Sequence, residues 1–194
     1  MNIDQLSKFD LCKPGHWVAG SDHDWAFETY HILSLIEHEF IEAVSAYAMF
    51  KPVTSENIKE YLDRQRSKYE DCLNCIYARA FVLSLDSIRK MLRALERYLN
   101  PPDNVRNLIL EYEKKFGHVR HIRDSISHIE DRGRAKDKYQ KRIPGNILIL
   151  GSFIGSRYEF TAGDGTCYGI DINEPTLFSV HKILQSIINE YTWE

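Results

Sequence analysis

The segment NILILGSFIGSRYEFTAGDGTCYGIDI, residues 146–172, decides the fold because its pattern differs from that of the chain before it. Its short runs are rich in β-branched and aromatic residues, which are typical of strands. The runs are separated by Gly155-Ser156 and by Gly163-Asp164-Gly165, both of which favour hairpin turns. The segment therefore predicts a three-stranded antiparallel β meander at about residues 146–172.

The rest of the chain has the spacing of amphipathic helices, with apolar residues recurring every three or four positions. Four such segments are residues 21–50, 72–99, 103–116 and a last helix that starts near Pro175. A further helix is expected from Thr54 or Ser55, with a break near residues 67–71. The sequence therefore predicts a mainly α fold, a helical bundle with the small meander before the last helix.

Two of these helices have a face that should lie in the core. In the expected central helix, residues 72–99, that face carries Ile76, Ala80, Leu83, Ser87, Met91, Ala94 and Tyr98. In the last helix it carries Leu177, Val180, Ile183, Leu184, Ile187 and Ile188. Residues 1–20 show no sustained period and predict an N-terminal arm, followed by a single domain over residues 21–194.

Composition limits the classes of function. A net charge of −3 argues against a protein that coats nucleic acid without specificity. No run approaches the roughly 20 apolar residues of a membrane span, and the first residues lack a secretory pattern, so we expect a cytoplasmic protein without membrane contact. Four cysteines do not make a disulfide framework in 194 residues, and Cys72-x2-Cys75 lacks the second pair of a zinc site.

The segment VRHIRDSISHIEDRGR, Val119–Arg134, combines a helical apolar pattern with many ionisable side chains. If residues 119–132 form one helix, its core-facing side carries Val119, Ile122, Ile126 and Ile129. The opposite side, expected to point outward, carries His121, Asp124, His128 and Arg132. Arg123 falls at an intermediate angle, so Arg123 and His128 diverge on an ideal helix.

The hexapeptide Arg123-Asp124-Ser125-Ile126-Ser127-His128 resembles the R-x4-6-H motif of the HEPN superfamily, in which a polar residue commonly follows the Arg. That superfamily is built from α-helical bundles. Many members are metal-independent endoribonucleases of toxin–antitoxin, CRISPR and other defence or RNA-processing systems. The resemblance covers residues 21–132 in architecture and six residues in motif, and the β meander has no counterpart in the minimal family fold.

The resemblance implies an endoribonuclease that cleaves single-stranded RNA with the 2′-hydroxyl as nucleophile and uses no metal or other cofactor. His128 would transfer a proton, Arg123 would stabilise charge on the phosphate, and Asp124 would orient the imidazole or hold the Arg. HEPN nucleases act as dimers with a shared cleft, so we expect a homodimer whose interface includes His121, Asp124 and His128. An antitoxin or a small nucleotidyltransferase would be a further partner.

A basic loop follows the motif, with six cationic residues against two acidic ones between Asp131 and Arg142. Such a loop provides charge but, with Tyr139 as its one aromatic residue, little surface for stacking. We therefore expect it to bind RNA through phosphates. The residues expected to contact RNA are Arg120, His121, Arg132, Arg134, Lys136 and Lys138.

Three other interpretations use the same residues. HEPN-like domains also serve as non-catalytic nucleotide-binding or protein-interaction modules, and an outward polar stripe suits that role. The spacing His121-x2-Asp124-x3-His128 also places two imidazoles and a carboxylate on one helix face, a plausible ligand set for zinc or iron. The third interpretation is a solvated charged face without a ligand.

Overall fold

The computed structural model describes residues 5–20, 22–51, 68–145 and 148–194. Within these ranges the fold is mainly α, with a three-stranded antiparallel sheet before the last helix, which confirms the predicted fold class. The described helices are α1, His23–Met49; α2, Lys68–Tyr98; α3, Asp103–Phe116; α4, Val119–Ser127; α5, Ile129–Gly133; and α6, Glu174–Asn189. The strands are β1, Leu150–Ile154; β2, Arg157–Thr161; and β3, Cys167–Asp171.

The chain divides into two compact units. The first takes its described residues from 1–45, 84–117 and 174–194, and the second takes them from 46–83 and 118–173. The boundaries fall within α1, within α2, after α3 and before α6. The single domain over residues 21–194 stays a prediction from the sequence.

In the first unit α3 packs against α6, and the predicted face of α6 is buried in full. The predicted N-terminal arm is part of this packing, because Phe9 and Val18 are buried. Its main chain also pairs with the end of the chain, since Glu194 N donates to Trp17 O at 2.9 Å beside a bridge between Val18 and Trp193. The described part of the arm is therefore a packed segment.

Asp22 caps the start of α1. Asp22 Oδ1 accepts hydrogen bonds from the backbone N–H groups of Asp24, at 3.0 Å, and Trp25, at 3.2 Å. These bonds satisfy donors that have no partner within the helix. The helix predicted from Thr54 or Ser55 lies outside the described residues.

The predicted core face of α2 is wrong. Ile76, Leu83 and Tyr98 are exposed. The buried side instead carries Ala78, Phe81, Val82, Leu85, Ile88, Leu92 and Leu95. Both sets have helical spacing, so periodicity alone does not tell which apolar stripe of a long helix its neighbours will cover.

An ion-pair network joins α2 and α3 within the first unit. Arg89 Nε lies 2.9 Å from Asp86 Oδ1, and Arg89 Nη1 lies 3.3 Å from Glu113 Oε1, which also pairs with Arg93. Burial alone would raise the pKa of Glu113, but the hydrogen bonds and charges of Arg93 and Arg89 lower it below its usual value. Glu113 therefore stays ionised between two guanidinium groups.

The second unit contains the sheet, whose strand order is β1-β2-β3 and whose strands lie within the predicted range. Tyr158, Phe160 and Ile170 are buried, and α4 packs against β2 and β3. The β1–β2 register shifts at Gly151, which has a φ of +85°. A Cβ at Gly151 would lie 3.0 Å from Tyr158 Oη, so the bulge needs glycine for both its dihedral angle and its space.

Candidate functional site

The ionisable segment is not one helix, as the sequence predicts, but two helices that meet at His128. α4 ends at Ser127, His128 has φ −121° and ψ 39°, and α5 begins at Ile129. Within α4, Ser125 Oγ donates to the backbone oxygen of His121 at 2.9 Å, and it also lies 3.2 Å from Thr161 O in β2. A hydroxyl bonded to the preceding turn often bends a helix. Faces assigned on a single straight helix are therefore unreliable after Ser127.

Arg132 shows the consequence most clearly. It was expected to point outward, but it is 3% exposed, so the predicted orientation is wrong. Its Nη1 donates to Lys136 O at 2.8 Å, and its Nε lies 3.5 Å from Ser125 Oγ. These contacts compensate part of the cost of removing a guanidinium from water.

The predicted apolar stripe of the segment is also corrected in its second half. Val119 and Ile122 are buried as expected. Ile129 is exposed, and the third buried residue of α4 is Ser125. Ser125 can be buried against β2 because the backbone oxygens of His121 and Thr161 lie within hydrogen-bond distance of its hydroxyl.

The break at His128 places a buried carboxylate beside the imidazole. His128 Nδ1 lies 3.9 Å from Asp131 Oδ2, and the two side chains are 39% and 12% exposed. Gln140 Nε2 donates to Asp131 Oδ1 at 2.7 Å and so holds the carboxylate in place. The sequence interpretation does not include Asp131 in the site, although its three-residue spacing from His128 is a signal for such a pair.

Arg123 and Asp124 pair with each other. Arg123 Nη1 lies 3.0 Å from Asp124 Oδ1, and both side chains are partly exposed. Of the two roles considered for Asp124, holding the Arg or orienting an imidazole, the geometry matches the first. The carboxylate that lies beside the His128 imidazole is that of Asp131.

His121 attaches α4 to the sheet. Its ring stacks on Tyr168 of β3, with centroids 4.5 Å apart and an interplanar angle of 11°. Arg120 Nε donates to His121 Nε2 at 3.2 Å, which requires the tautomer that carries its hydrogen on Nδ1. His118 Nε2 lies 3.2 Å from Gly169 O in the same strand.

The basic loop is a tight turn. Asp137 N donates to Lys141 O at 2.8 Å, and Ile143 N donates to Ala135 O at 2.9 Å. Asp137 Oδ1 accepts from the backbone N–H groups of Tyr139 and Lys141 at 2.9 and 2.8 Å. Within this turn the side chains of Arg134, Lys138, Lys141 and Arg142 are exposed.

A cavity of about 410 Å³ lies between α4, the basic turn and the β2–β3 turn. Its described lining contains residues 162–164 and the side chains of His121, Asp124, Arg132, Asp137, Lys138 and Tyr139. Neither Arg123 nor His128 belongs to that lining. The sequence interpretation does not include Asp137, Tyr139 and Asp164, because two turns bring them to α4 from distant positions in the chain.

The metal-ligand set offered by the sequence is not the one that the structure brings together. Among the described residues, the His, Cys, Asp and Glu side chains found close enough to share an ion are His128, Glu130 and Asp131, with ligand atoms within 4.8 Å of one another. His121 instead stacks on Tyr168, and Asp124 pairs with Arg123. The residues present therefore place His128 in a carboxylate-rich environment.

Comparisons with protein-family models, with curated proteins and with solved structures found no match. Within the described parts of the chain, no helix has the length and apolar character needed to span a membrane.

Proposed function

We propose that the protein is a metal-independent endoribonuclease of the HEPN type, of the defence or toxin–antitoxin kind, which cleaves single-stranded RNA in the cytoplasm. The observation that carries this proposal is the pair of His128 and Asp131. A partly exposed imidazole has its Nδ1 beside a buried carboxylate that Gln140 holds in place. A carboxylate at Nδ1 favours the tautomer whose Nε2 can accept a proton from a substrate.

In the proposed reaction the ribose 2′-hydroxyl attacks the adjacent phosphorus. The hydroxyl proton passes to Nε2 of His128, the O2′–P bond forms, the P–O5′ bond breaks and the 5′-oxygen receives a proton from an imidazolium. The products are a 2′,3′-cyclic phosphate and a 5′-hydroxyl. Arg123, oriented by Asp124, stabilises the charge that develops on the phosphate oxygens.

The exposed cations of α4 and of the basic turn support RNA as the substrate. Arg120 on α4 and Arg134 and Lys138 after α5 offer charge to phosphates, and Lys136 is partly exposed between them. His121 is a weaker candidate because its ring stacks on Tyr168. Arg132 is proposed to support the turn from within, since its guanidinium is bonded to the main chain of Lys136.

A homodimer is part of this proposal, with an interface that includes His121, Asp124 and His128. One copy places the guanidinium of Arg123 and the imidazole of His128 on different elements, α4 and the α4–α5 junction. Two copies would supply two imidazoles, one to accept the 2′-proton and one to protonate the leaving oxygen. A strict monomer in light scattering at tens of micromolar would contradict it. An antitoxin or nucleotidyltransferase partner is proposed on the HEPN resemblance alone.

The experiment that tests the proposal is cleavage of single-stranded RNA by purified protein in excess EDTA, with analysis of the new ends. We expect 2′,3′-cyclic phosphate ends and resistance of RNA that is methylated at the 2′-oxygen. Cleavage that requires added zinc or manganese would instead assign His128, Glu130 and Asp131 as metal ligands.

The cavity favours a second candidate, a non-catalytic nucleotide-binding module. The described residues that line it exclude both Arg123 and His128, so a ligand could occupy it without meeting either group. Nucleotide binding without cleavage of any RNA would support this alternative.

A further inference from the structure

The lining of the cavity beside α4 has more carboxylate than guanidinium and ammonium side chains. Three carboxylates line it, those of Asp124, Asp137 and Asp164, against the cations Lys138 and Arg132. A phosphate placed among three carboxylates would be repelled. The exposed cations of the basic turn, such as Arg134 and Arg142, lie outside the lining and suit phosphates better.

Two of these carboxylates are held by their own turns. Asp137 Oδ1 accepts from the backbone N–H groups of Tyr139 and Lys141, and Asp164 Oδ1 accepts from Thr166 N at 2.9 Å. In each residue these backbone bonds go to the same oxygen, so they orient the carboxylate without using Oδ2. Each Oδ2 can therefore serve as a fixed acceptor.

A buried guanidinium belongs to the same lining. Arg132 is 3% exposed, and its hydrogen bonds to Ser125 and Lys136 use Nε and Nη1. Its Nη2 lies beside Gly163 in the cavity lining, since a Cβ added at Gly163 would be 3.4 Å from Nη2 and 3.2 Å from Asp137 Cβ. The lining thus brings Arg132 Nη2 and the side chain of Asp137 to the same glycine.

An aromatic ring at the cavity offers a surface for stacking. Tyr139 lines the cavity and is 71% exposed, and Lys138 Nζ lies 5.2 Å from its ring centroid. Bases of single-stranded RNA commonly stack on such exposed rings while their edges form hydrogen bonds. A volume of about 410 Å³ is within the range of small-ligand pockets.

We propose that this cavity binds one base of the RNA substrate and prefers guanine, an inference that rests on the proposed ribonuclease function. The guanine edge presents O6 as an acceptor, followed by N1–H and N2–H as two adjacent donors. Arg132 Nη2 matches the acceptor, and the Oδ2 atoms of Asp137 and Asp164 match the donors. Uracil presents a single N–H donor, and adenine and cytosine each present one amino group beside an acceptor, so they satisfy the carboxylates less well.

The test compares binding of guanosine 5′-monophosphate and uridine 5′-monophosphate to the full-length protein by calorimetry. The wild-type protein should bind the guanine nucleotide roughly 10-fold more tightly, the scale of one two-point contact to a base edge. In Asp137→Asn the amide oxygen keeps the two backbone bonds while an NH2 donor replaces Oδ2, so the preference should disappear. Asp103→Asn on α3 is the matched control and should keep it. Gly163→Ala, which places a methyl group beside Arg132 Nη2, should weaken binding of both nucleotides.

The same variants in an RNA cleavage assay separate this inference from the proposed function. Sequencing the ends cut from a randomised single-stranded RNA pool should show guanine enriched at one position near the cut, and Asp137→Asn should remove that enrichment while cleavage persists. Cleavage without base preference, or equal binding of both nucleotides, would overturn the guanine site alone. Guanine-selective binding without cleavage of any RNA would overturn the proposed ribonuclease function and would still support the guanine site. Binding of neither nucleotide overturns the inference whatever the cleavage result.

Discussion

The carboxylate of Asp131 lies 3.9 Å from the imidazole of His128, at the point where one predicted helix becomes two. The pair places a partly exposed imidazole beside a buried, hydrogen-bonded carboxylate. If substrate binding shortens this separation, a hydrogen bond would fix both the tautomer and the orientation of the ring. Chemistry at this site should therefore depend on Asp131 as well as on the two motif residues.

His128→Ala should lower the rate of RNA cleavage in excess EDTA by roughly 100-fold or more, because removing a general acid or base usually has that effect. Arg123→Ala should cause a comparable loss through the missing stabilisation of phosphate charge. Initial rates on a labelled single-stranded RNA would measure both. Since both side chains are partly exposed, circular dichroism should show folded variants, and unchanged rates in folded protein would exclude this centre.

Asp131→Asn should lower the cleavage rate by roughly 10-fold, because the ring of His128 loses the carboxylate that faces its Nδ1. The Asn oxygen can still accept from Gln140, so the local structure should persist. The matched control is Glu130→Gln, an exposed neighbour with the same change of charge. Equal losses of rate in Asp131→Asn and Glu130→Gln would show that the Asp131 carboxylate has no specific role in the reaction.

Replacing Lys136, Lys138 and Lys141 with Gln should weaken RNA binding for all sequences and flatten its salt dependence. Each lost phosphate contact lowers the slope of log K against log salt by about 0.7 for a single strand. Fluorescence anisotropy at several salt concentrations would measure the slope. A wild-type affinity and slope in the triple variant would mean that the turn is solvated and does not hold RNA.

Ile122→Asp should destabilise the second unit by about 3 kcal/mol or more, because it places an unpaired charge where α4 meets the sheet. Ile129→Asp should change the free energy of unfolding by less than about 1 kcal/mol, because Ile129 is exposed after the helix break. Urea denaturation would compare the two. Equal and large losses would indicate that Val119–Gly133 is one continuous helix after all.

Stability of the first unit should fall in acid through Glu113. The folded-state pKa of Glu113 is lowered, so its contribution is present above its usual pKa and is lost as the pH falls through the lowered value. Glu113→Gln should lower stability at pH 7 by about 2 kcal/mol, the scale of hydrogen bonds to charged groups. It should also reduce the fall in melting temperature between pH 6 and pH 3, and parallel curves for both proteins would contradict the assignment.

Periodicity predicted the buried face of a helix well where that helix has only one apolar stripe. α6 is the clearest case, because all six predicted residues are buried. On α2 two stripes compete, and the choice depends on neighbours that come from elsewhere in the chain. The residue-level site was predicted only in part, since two turns bring Asp137, Tyr139 and Asp164 to the cavity beside α4, and helical periodicity does not show this.

The junction at His128 also affects how the chain tolerates changes in length. In a continuous helix, one inserted residue between Arg123 and His128 would rotate the imidazole by about 100° around the axis. At a junction where the backbone already leaves helical geometry, the extra residue can be absorbed locally while α5 keeps its place. An insertion after Ser127 should therefore be accommodated far better than one after Asp124, so the interval between Arg123 and His128 can vary at the junction without loss of their spatial relationship.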